Sequence, residues 1–297
     1  MDECLTERFM VVDGFLPLDH ARSMREDVDD HFSNPHRHRP DVHQVWNYWH
    51  VPGSYTYLRT TPEKVIAREK VQAFVDALRT WAATNLGLAM VTWPYLSLYV
   101  PGCEQGIHND SVNGRLGFVY SLTRDDRQTI GGETVLFHDH DLFRSALDRP
   151  AAGTDLFELV EPRFNRLTLF DDRIPHAVQR IAGSMNPLEG RFVLHGHISE
   201  GGIVGQGALS PEAMAEPVAT ALAELRDEAA GARGTIVYFI EIGEDGAVQR
   251  MRPILDRLAS PTPMDLDAVR GAIADRIRAL RFPASAGQTR ANVPLVF

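Results

Sequence analysis

The chain is short of cysteine, short of lysine and free of long apolar runs, and each shortage excludes something. Cys4 and Cys103 are the only thiols in 297 residues. They lie far apart without a C-x-x-C pair, which argues against a disulfide framework and against a cysteine zinc site. Both are expected to be free. No apolar stretch approaches membrane-spanning length. Residues 1–10 carry Asp2, Glu3 and Glu7 where a secretory leader would be basic and then apolar, so a cytoplasmic protein is expected. Lysine occurs only at Lys64 and Lys70, a skew towards arginine that carries no functional weight. With a formal net charge of −10 and a pI near 5.6, the chain lacks the basic face that nucleic acid or an anionic membrane selects. Neither is an expected partner.

What is present supports a sizeable core, with 44% hydrophobic residues. From Asp13 the sequence reads as a short strand and turn, then a helix capped by Asp19 and running towards His31 and Phe32. Residues 35–62 mix histidine, arginine and aromatics (Trp46, Tyr48, Trp49, Tyr55, Tyr57), which fits either a lid or an aromatic wall packed on the core. Val71, Phe74, Val75, Leu78 and Trp81 have the spacing of one helical face between Val65 and Leu86.

After Gly87 the pattern turns to strands. Leu96, Leu98 and Val100 alternate with Tyr95, Ser97 and Tyr99, and further strands are expected at 115–122, 133–137, 166–170 and 191–198. Short strands after early helices, without regular strand–helix alternation, favour an antiparallel sandwich or barrel. A domain boundary is expected at residues 204–205, within a glycine-rich joint. Ser210 and Pro211 then open a helix in cap and first-turn positions. The tail reads as strand, Gly-Glu-Asp-Gly turn, extended stretch, helix (Val269, Ile273, Ile277 and Leu280 on one face) and terminal strand.

Three pieces carry chemistry. In His108-Asn-Asp110 a histidine and a carboxylate sit two apart, so on a strand both face one side. In Asn165-Arg-Leu-Thr-Leu-Phe-Asp-Asp-Arg-Ile-Pro-His176-Ala-Val a strand ends in a turn that presents His176. Two histidines and one carboxylate on one face of an iron leave its other positions open. In Arg191-Phe-Val-Leu-His-Gly-His-Ile, Phe192, Leu194 and Ile198 share one face, which puts Arg191, Val193, His195 and His197 on the other. A guanidinium there suits a carboxylate.

In order and spacing these pieces, with Tyr-Val-Pro-Gly before His108, Gly131-Gly-Glu-Thr134 and Gly190-Arg191, resemble the prolyl-4-hydroxylase-like branch of the iron(II)/2-oxoglutarate oxygenases. The resemblance runs from Asp13 to Ser199. It implies a double-stranded β-helix, the jelly roll of cupin-like proteins, with helical N-terminal support. It also implies iron(II) held by His108, Asp110 and His176, with O2 as oxidant and 2-oxoglutarate as co-substrate. Arg191 would pair with the far carboxylate of 2-oxoglutarate and Tyr99 would donate a second hydrogen bond to it. Asp110 stands where related halogenases have a small residue, which favours hydroxylation. The loop Gly183–Gly190 is longer than expected before the arginine, leaving Arg180 as the reserve anchor. The implied substrate is a peptidyl side chain of prolyl type or a small metabolite. The tail (205–297), with Leu280-Arg-Phe-Pro and Val293-Pro-Leu-Val-Phe, resembles the small α+β C-terminal domain of TonB-type energy transducers. No membrane anchor or proline-rich spacer accompanies it, so partner binding or self-association is the expected role.

The remaining histidines have plainer readings. His138 and His140 fit a polar turn better than a second metal site, and His36 and His38 fit a solvated loop. His195 fits either a role beside the substrate or a hydrogen-bonded barrel position. Two other classes compete with the oxygenase: a barrel that binds metal for isomerisation or sensing, and a degenerate scaffold for the tail. The first has no need of Arg191 and Tyr99, and the second no need of an intact triad.

Overall fold

The computed structural model describes residue 4 and residues 7–33, 45–110, 115–138, 156–260 and 262–297. His36, His38 and His140, and the first ten positions of the proposed lid, lie outside the described residues. The chain forms two compact units. One comprises Arg8–Leu78 and Val91–His197, and the other is built from Arg79–Met90 and Ile198–Phe297 together with the N-terminal end.

The first unit is mainly β. Its strands are β1 (Phe9–Asp13), β2 (Asn47–Val51), β3 (Tyr55–Thr60), β4 (Met90–Val91), β5 (Tyr95–Tyr99), β6 (Glu104–His108) and β7 (Leu116–Ser121). After these come β8 (Thr129–Ile130), β9 (Thr134–Phe137), β10 (Phe157–Val160), β11 (Arg166–Asp171), β12 (His176–Val178), β13 (Ala182–Gly183) and β14 (Arg191–Ser199). Among the described residues, one large antiparallel sheet runs β1-β11-β7-β14-β5-β3-β6-β12-β9-β10, with β2 on β3 and β4 on β14. The order is far from sequential, as in a curled sheet of jelly-roll type.

Two helices support this sheet. Helix α1 (Leu18–Ser33) buries Ala21, Met24, Arg25 and Val28, one stripe at helical spacing. Asp19 lies inside its first turn rather than before it, so it complements the helix dipole instead of capping. Buried Arg25 ties the helix down: it donates to the carbonyls of Leu122 and Leu188 at 2.9 and 2.8 Å and pairs with Asp29. Helix α2 (Arg68–Leu86) presents Val71, Phe74, Val75 and Leu78, all buried as their spacing predicts. Phe74 meets Tyr120 and Phe118 of β7 at ring separations of 4.8 and 6.0 Å. Each such side chain stabilises the fold by about 1.5–3 kcal/mol.

Asn165 explains the start of its own motif. Its φ of 59° needs a left-handed residue that asparagine tolerates. Its side chain brackets Leu16, accepting from the amide at 2.9 Å and donating to the carbonyl at 2.8 Å, and it also accepts from the Tyr120 hydroxyl. The turn is thereby locked at the entry to β11.

The stretch after Val45 is neither a free loop nor a plain wall. β2 and β3 form a hairpin, β3 pairs with both β5 and β6, and β2 is exposed throughout.

In the second unit β15 (Val204–Gly207), β16 (Thr235–Ile242), β17 (Val248–Asp256) and β18 (Thr289–Val296) make an antiparallel sheet in the order β15-β18-β16-β17. Helix α3 (Pro211–Glu224) begins as expected, with the Ser210 hydroxyl accepting from the Ala213 amide. Helix α4 (Leu266–Ala279) is capped by Asp265 and buries Val269, Ile273 and Ile277, with Leu280 just past its end. The likeness of this unit to TonB-type domains rests on its sequence pattern alone. Division of the chain at residue 204 stays a proposal, because the end of α2 belongs with the tail. Leu86 and Leu88 are fully buried, and Asn292 donates to the Ala83 carbonyl at 3.1 Å.

Candidate functional site

The pairing registers bring the separated motifs together. β12 pairs with β6 so that His176 stands opposite His108, and their rings lie 4.2 Å apart. Asp110 follows the end of β6, where its backbone amide donates to the Asp172 carbonyl at 2.8 Å. One ligand atom from each of His108, Asp110 and His176 lies within 4.8 Å of the others. This is the sole such group among the described residues.

The histidines are held in one tautomer. Nδ1 of His108 lies 2.8 Å from the Gly106 carbonyl and Nδ1 of His176 lies 3.2 Å from the Ile174 carbonyl. A carbonyl only accepts, so each Nδ1 carries a proton and each Nε2 faces Asp110, with a lone pair on Nε2 of neutral His108. The Gln105 amide, 3.3 Å away, can donate to that lone pair of His108. Burial and the neighbouring His176 push the His108 pKa down, which keeps the ring neutral. Burial raises the Asp110 pKa, but contacts from His176 at 3.5 Å and His197 at 3.3 Å outweigh it and hold the carboxyl well below its usual range. The triad therefore sets an ionised Asp110 carboxylate beside the neutral His108 imidazole and the buried His176 ring.

These side chains border a cavity of about 550 Å³. Arg191, Val193, His195 and His197 all reach it from β14, the face that alternation assigned to them. Arg191 is 2% exposed. Its Nη2 donates to Thr134 Oγ1 at 3.1 Å, and its guanidinium lies 4.8 Å from the Tyr99 ring centre. Its buried Nε has no partner among the described residues. Burial lowers the pKa of this arginine against the opposing pull of Tyr99 and, more weakly, of the Glu133 charge, and no carboxylate among the described residues forms an ion pair with it. Room for the side chain comes from Gly132, whose φ is 82° and where an added Cβ would sit 3.2 Å from Arg191 Cδ. The Gly131-Gly132-Glu133-Thr134 motif thus supplies both the space and the hydroxyl.

Tyr99 differs in detail from the expectation. Its ring lies under the guanidinium, while its hydroxyl donates to Gln105 Oε1 at 3.2 Å. Burial pushes its pKa far up, so it remains a phenol. Arg180 is exposed on the loop after β12 and does not border the cavity. His138 is exposed, near Phe9. Sequence reading missed Gln105, the hydroxyl of Thr134 and the contact of His197 with Asp110. Only Thr134, inside a recognised motif, left a signal.

No protein-family model matches the chain, and no curated protein matches it in sequence. Among solved structures it is similar to a prolyl hydroxylase from Trichoplax adhaerens, in complex with a hypoxia inducible factor oxygen degradation domain peptide fragment (16% identity, TM-score 0.47, 66% of this chain and 84% of that one). It is also similar to a Pseudomonas putida prolyl-4-hydroxylase (20% identity, TM-score 0.46, 66% and 94% covered). A third is a non-heme alpha ketoglutarate dependent epimerase from nogalamycin biosynthesis (12% identity, TM-score 0.43, 64% and 77% covered). At these identities the likeness is one of backbone.

Proposed function

We propose that the chain is an iron(II)- and 2-oxoglutarate-dependent oxygenase that hydroxylates an unactivated C–H bond. The observation that carries this reading is the pairing, in one cavity, of a His-Asp-His cluster with a buried guanidinium that has no ion-pair partner among the described residues and a free Nε. An unpaired buried cation is costly unless an anion enters.

The donor set fits the metal. Two imidazole nitrogens and one carboxylate suit iron(II), and three protein ligands leave positions open for exogenous ones. Bound there, the iron would supply the activation of O2, coupled to oxidation of 2-oxoglutarate to succinate and carbon dioxide. His108, Asp110 and His176 would hold it, and the carbonyls of Gly106 and Ile174 orient the two rings. Arg191 would receive the carboxylate of 2-oxoglutarate remote from the metal through its free Nε, with Thr134 steadying Nη2. Phe170, 4.5 Å from the His176 ring, and Val178 help keep water from the triad. Asp110 occupies the position that a halide would need, so hydroxylation is the outcome the residues favour.

The motif pattern favours a peptidyl substrate, with a small metabolite as the alternative for the same chemistry. The test is succinate release with iron(II) and 2-oxoglutarate across a panel of peptides and small molecules. Coupled turnover is expected with the true substrate. Metal binding without any 2-oxoglutarate consumption would overturn the reading in favour of a non-catalytic metal-binding barrel acting as sensor or scaffold, and absence of both would overturn it outright.

A further inference from the structure

A second arginine borders the cavity and pairs with no acid among the described residues. Arg59 projects from β3, and its guanidinium lies 3.7 Å from the ring centre of Trp49 and 4.2 Å from that of Tyr95. Two aromatic contacts hold its plane and leave the in-plane N–H donors at the edge. Its side-chain polar partner is the Tyr57 hydroxyl, and it makes no ion pair among the described residues.

Position separates Arg59 from Arg191. Arg191 lies over Tyr99 and Arg59 over Tyr95, at opposite ends of β5. Arg191 stands opposite Tyr99 and Arg59 opposite Ser97 in the two pairings of β5, and the rings that their guanidiniums cover belong to residues roughly 13 Å apart along the strand. A co-substrate held by Arg191 therefore leaves Arg59 free. Between them His195 pairs with Ser97 at 2.8 Å and stays uncharged, since burial brings its pKa down to about 3.

Charge makes the same point. Among the described residues bordering the cavity, Asp110 is the sole carboxylate, and Arg59 and Arg191 are the guanidiniums. On the reading above, iron(II), Asp110, the 2-oxoglutarate dianion and Arg191 sum to neutrality. Arg59 then remains as one positive charge at the edge of a partly dry site, where a single anionic group would balance it.

We propose that Arg59 is a specificity-determining residue that binds a carboxylate of the primary substrate. The substrate is accordingly an acid: a free carboxylic acid of amino-acid size, or a peptide offering a side-chain or C-terminal carboxylate. This rests on the oxygenase reading for the chemistry but not for the binding.

Calorimetry with matched pairs tests it on the full chain, metal-free and loaded with zinc(II) and 2-oxoglutarate. The small probes are N-acetylproline and N-acetylglutamate against their amides, and the peptide probes carry Glu against Gln or a free against an amidated C-terminus. The acids are expected to bind roughly tenfold or more tightly than their amides. Arg59→Gln should erase that preference while 2-oxoglutarate affinity and melting temperature hold. Whether small acids or peptides show the preference identifies the source. Amides binding as well as acids, no acid binding in either state, or an acid preference that survives Arg59→Gln would overturn the proposal. If Arg59→Gln lowers the melting temperature instead, and Arg59→Lys restores stability without the preference for acids, the residue serves only to staple the hairpin. Loss of 2-oxoglutarate binding in the wild type would sink the oxygenase reading separately, with the metal-free measurements still deciding on Arg59.

Discussion

Arg191 and Tyr99 face each other across the pairing of β14 and β5, with the guanidinium 4.8 Å from the ring centre. The phenol offers a π face and no charge, so it steadies the cation without neutralising it. The arginine stays available to an incoming anion. Arg191→Gln should therefore weaken 2-oxoglutarate binding by roughly 10- to 100-fold, the scale of a lost charge-assisted pair. Iron affinity should hardly change, because no ligand is lost. Equilibrium dialysis of both ligands checks this, and Arg180→Gln, on an exposed loop, should match wild type.

His197 was placed on the cavity face by alternation, but its contact with Asp110 at 3.3 Å arises only from the fold. It orients the carboxylate rather than holding the ion. His197→Phe should lower iron affinity about 10- to 100-fold, the usual effect of losing a partner that orients a ligand. A metal titration showing no change would mean that Asp110 is positioned by its own backbone bond to Asp172.

His195 gives a pH signature. Its folded pKa is about 3, against an ordinary 6.5, because burial disfavours the imidazolium. In the window between those values the unfolded chain binds the proton and the folded one does not. The stability it contributes is present above pH 6.5 and is lost as pH falls towards 3. At pH 5 the loss reaches at most about 2 kcal/mol, and less insofar as the ring borders cavity water. Urea unfolding at pH 7.5 and pH 5 should show a smaller drop in His195→Gln than in wild type.

Truncation after residue 204 tests the proposed division. The triad, Arg191 and their supporting strands precede that point, so the shortened chain should still bind iron and 2-oxoglutarate. It should also melt lower, because Leu86 and Leu88 lose the unit in which they are buried, at about 1.5–3 kcal/mol each. A shortened chain that is insoluble, even with both leucines changed to serine, would place the tail within the core.

Much of this site was legible because strand alternation is a local rule. It assigned Leu96 and Leu98 to the core, and Arg191, Val193, His195 and His197 to the cavity, with no knowledge of pairing. The His-x-Asp spacing brought two ligands near one point, although Asp110 lies past the end of β6 and is placed by its backbone bond to Asp172 rather than by alternation. Register was not legible: nothing local says that His176 will stand opposite His108, and only the motif resemblance anticipated it. Arg59 was missed for the same reason, since it matters through Tyr95 on another strand, and Gln105 in part, since it links the Tyr99 hydroxyl of β5 to His108 of its own strand. Asp19 misled because an acidic residue suits both a cap and a first turn.

On the proposed function, His108, Asp110 and His176 hold iron in the cavity where Arg191 receives 2-oxoglutarate. The most direct test is an anaerobic titration of 2-oxoglutarate into the iron(II)-loaded protein, followed by the visible charge-transfer absorption that chelation of iron(II) by a 2-oxo acid produces. A stoichiometric, saturable band is expected in wild type, none in His108→Ala or His176→Ala, and a band displaced to much higher 2-oxoglutarate concentration in Arg191→Gln. A folded wild-type protein that gives no band, or histidine variants that give the same band as wild type, would contradict the proposed function.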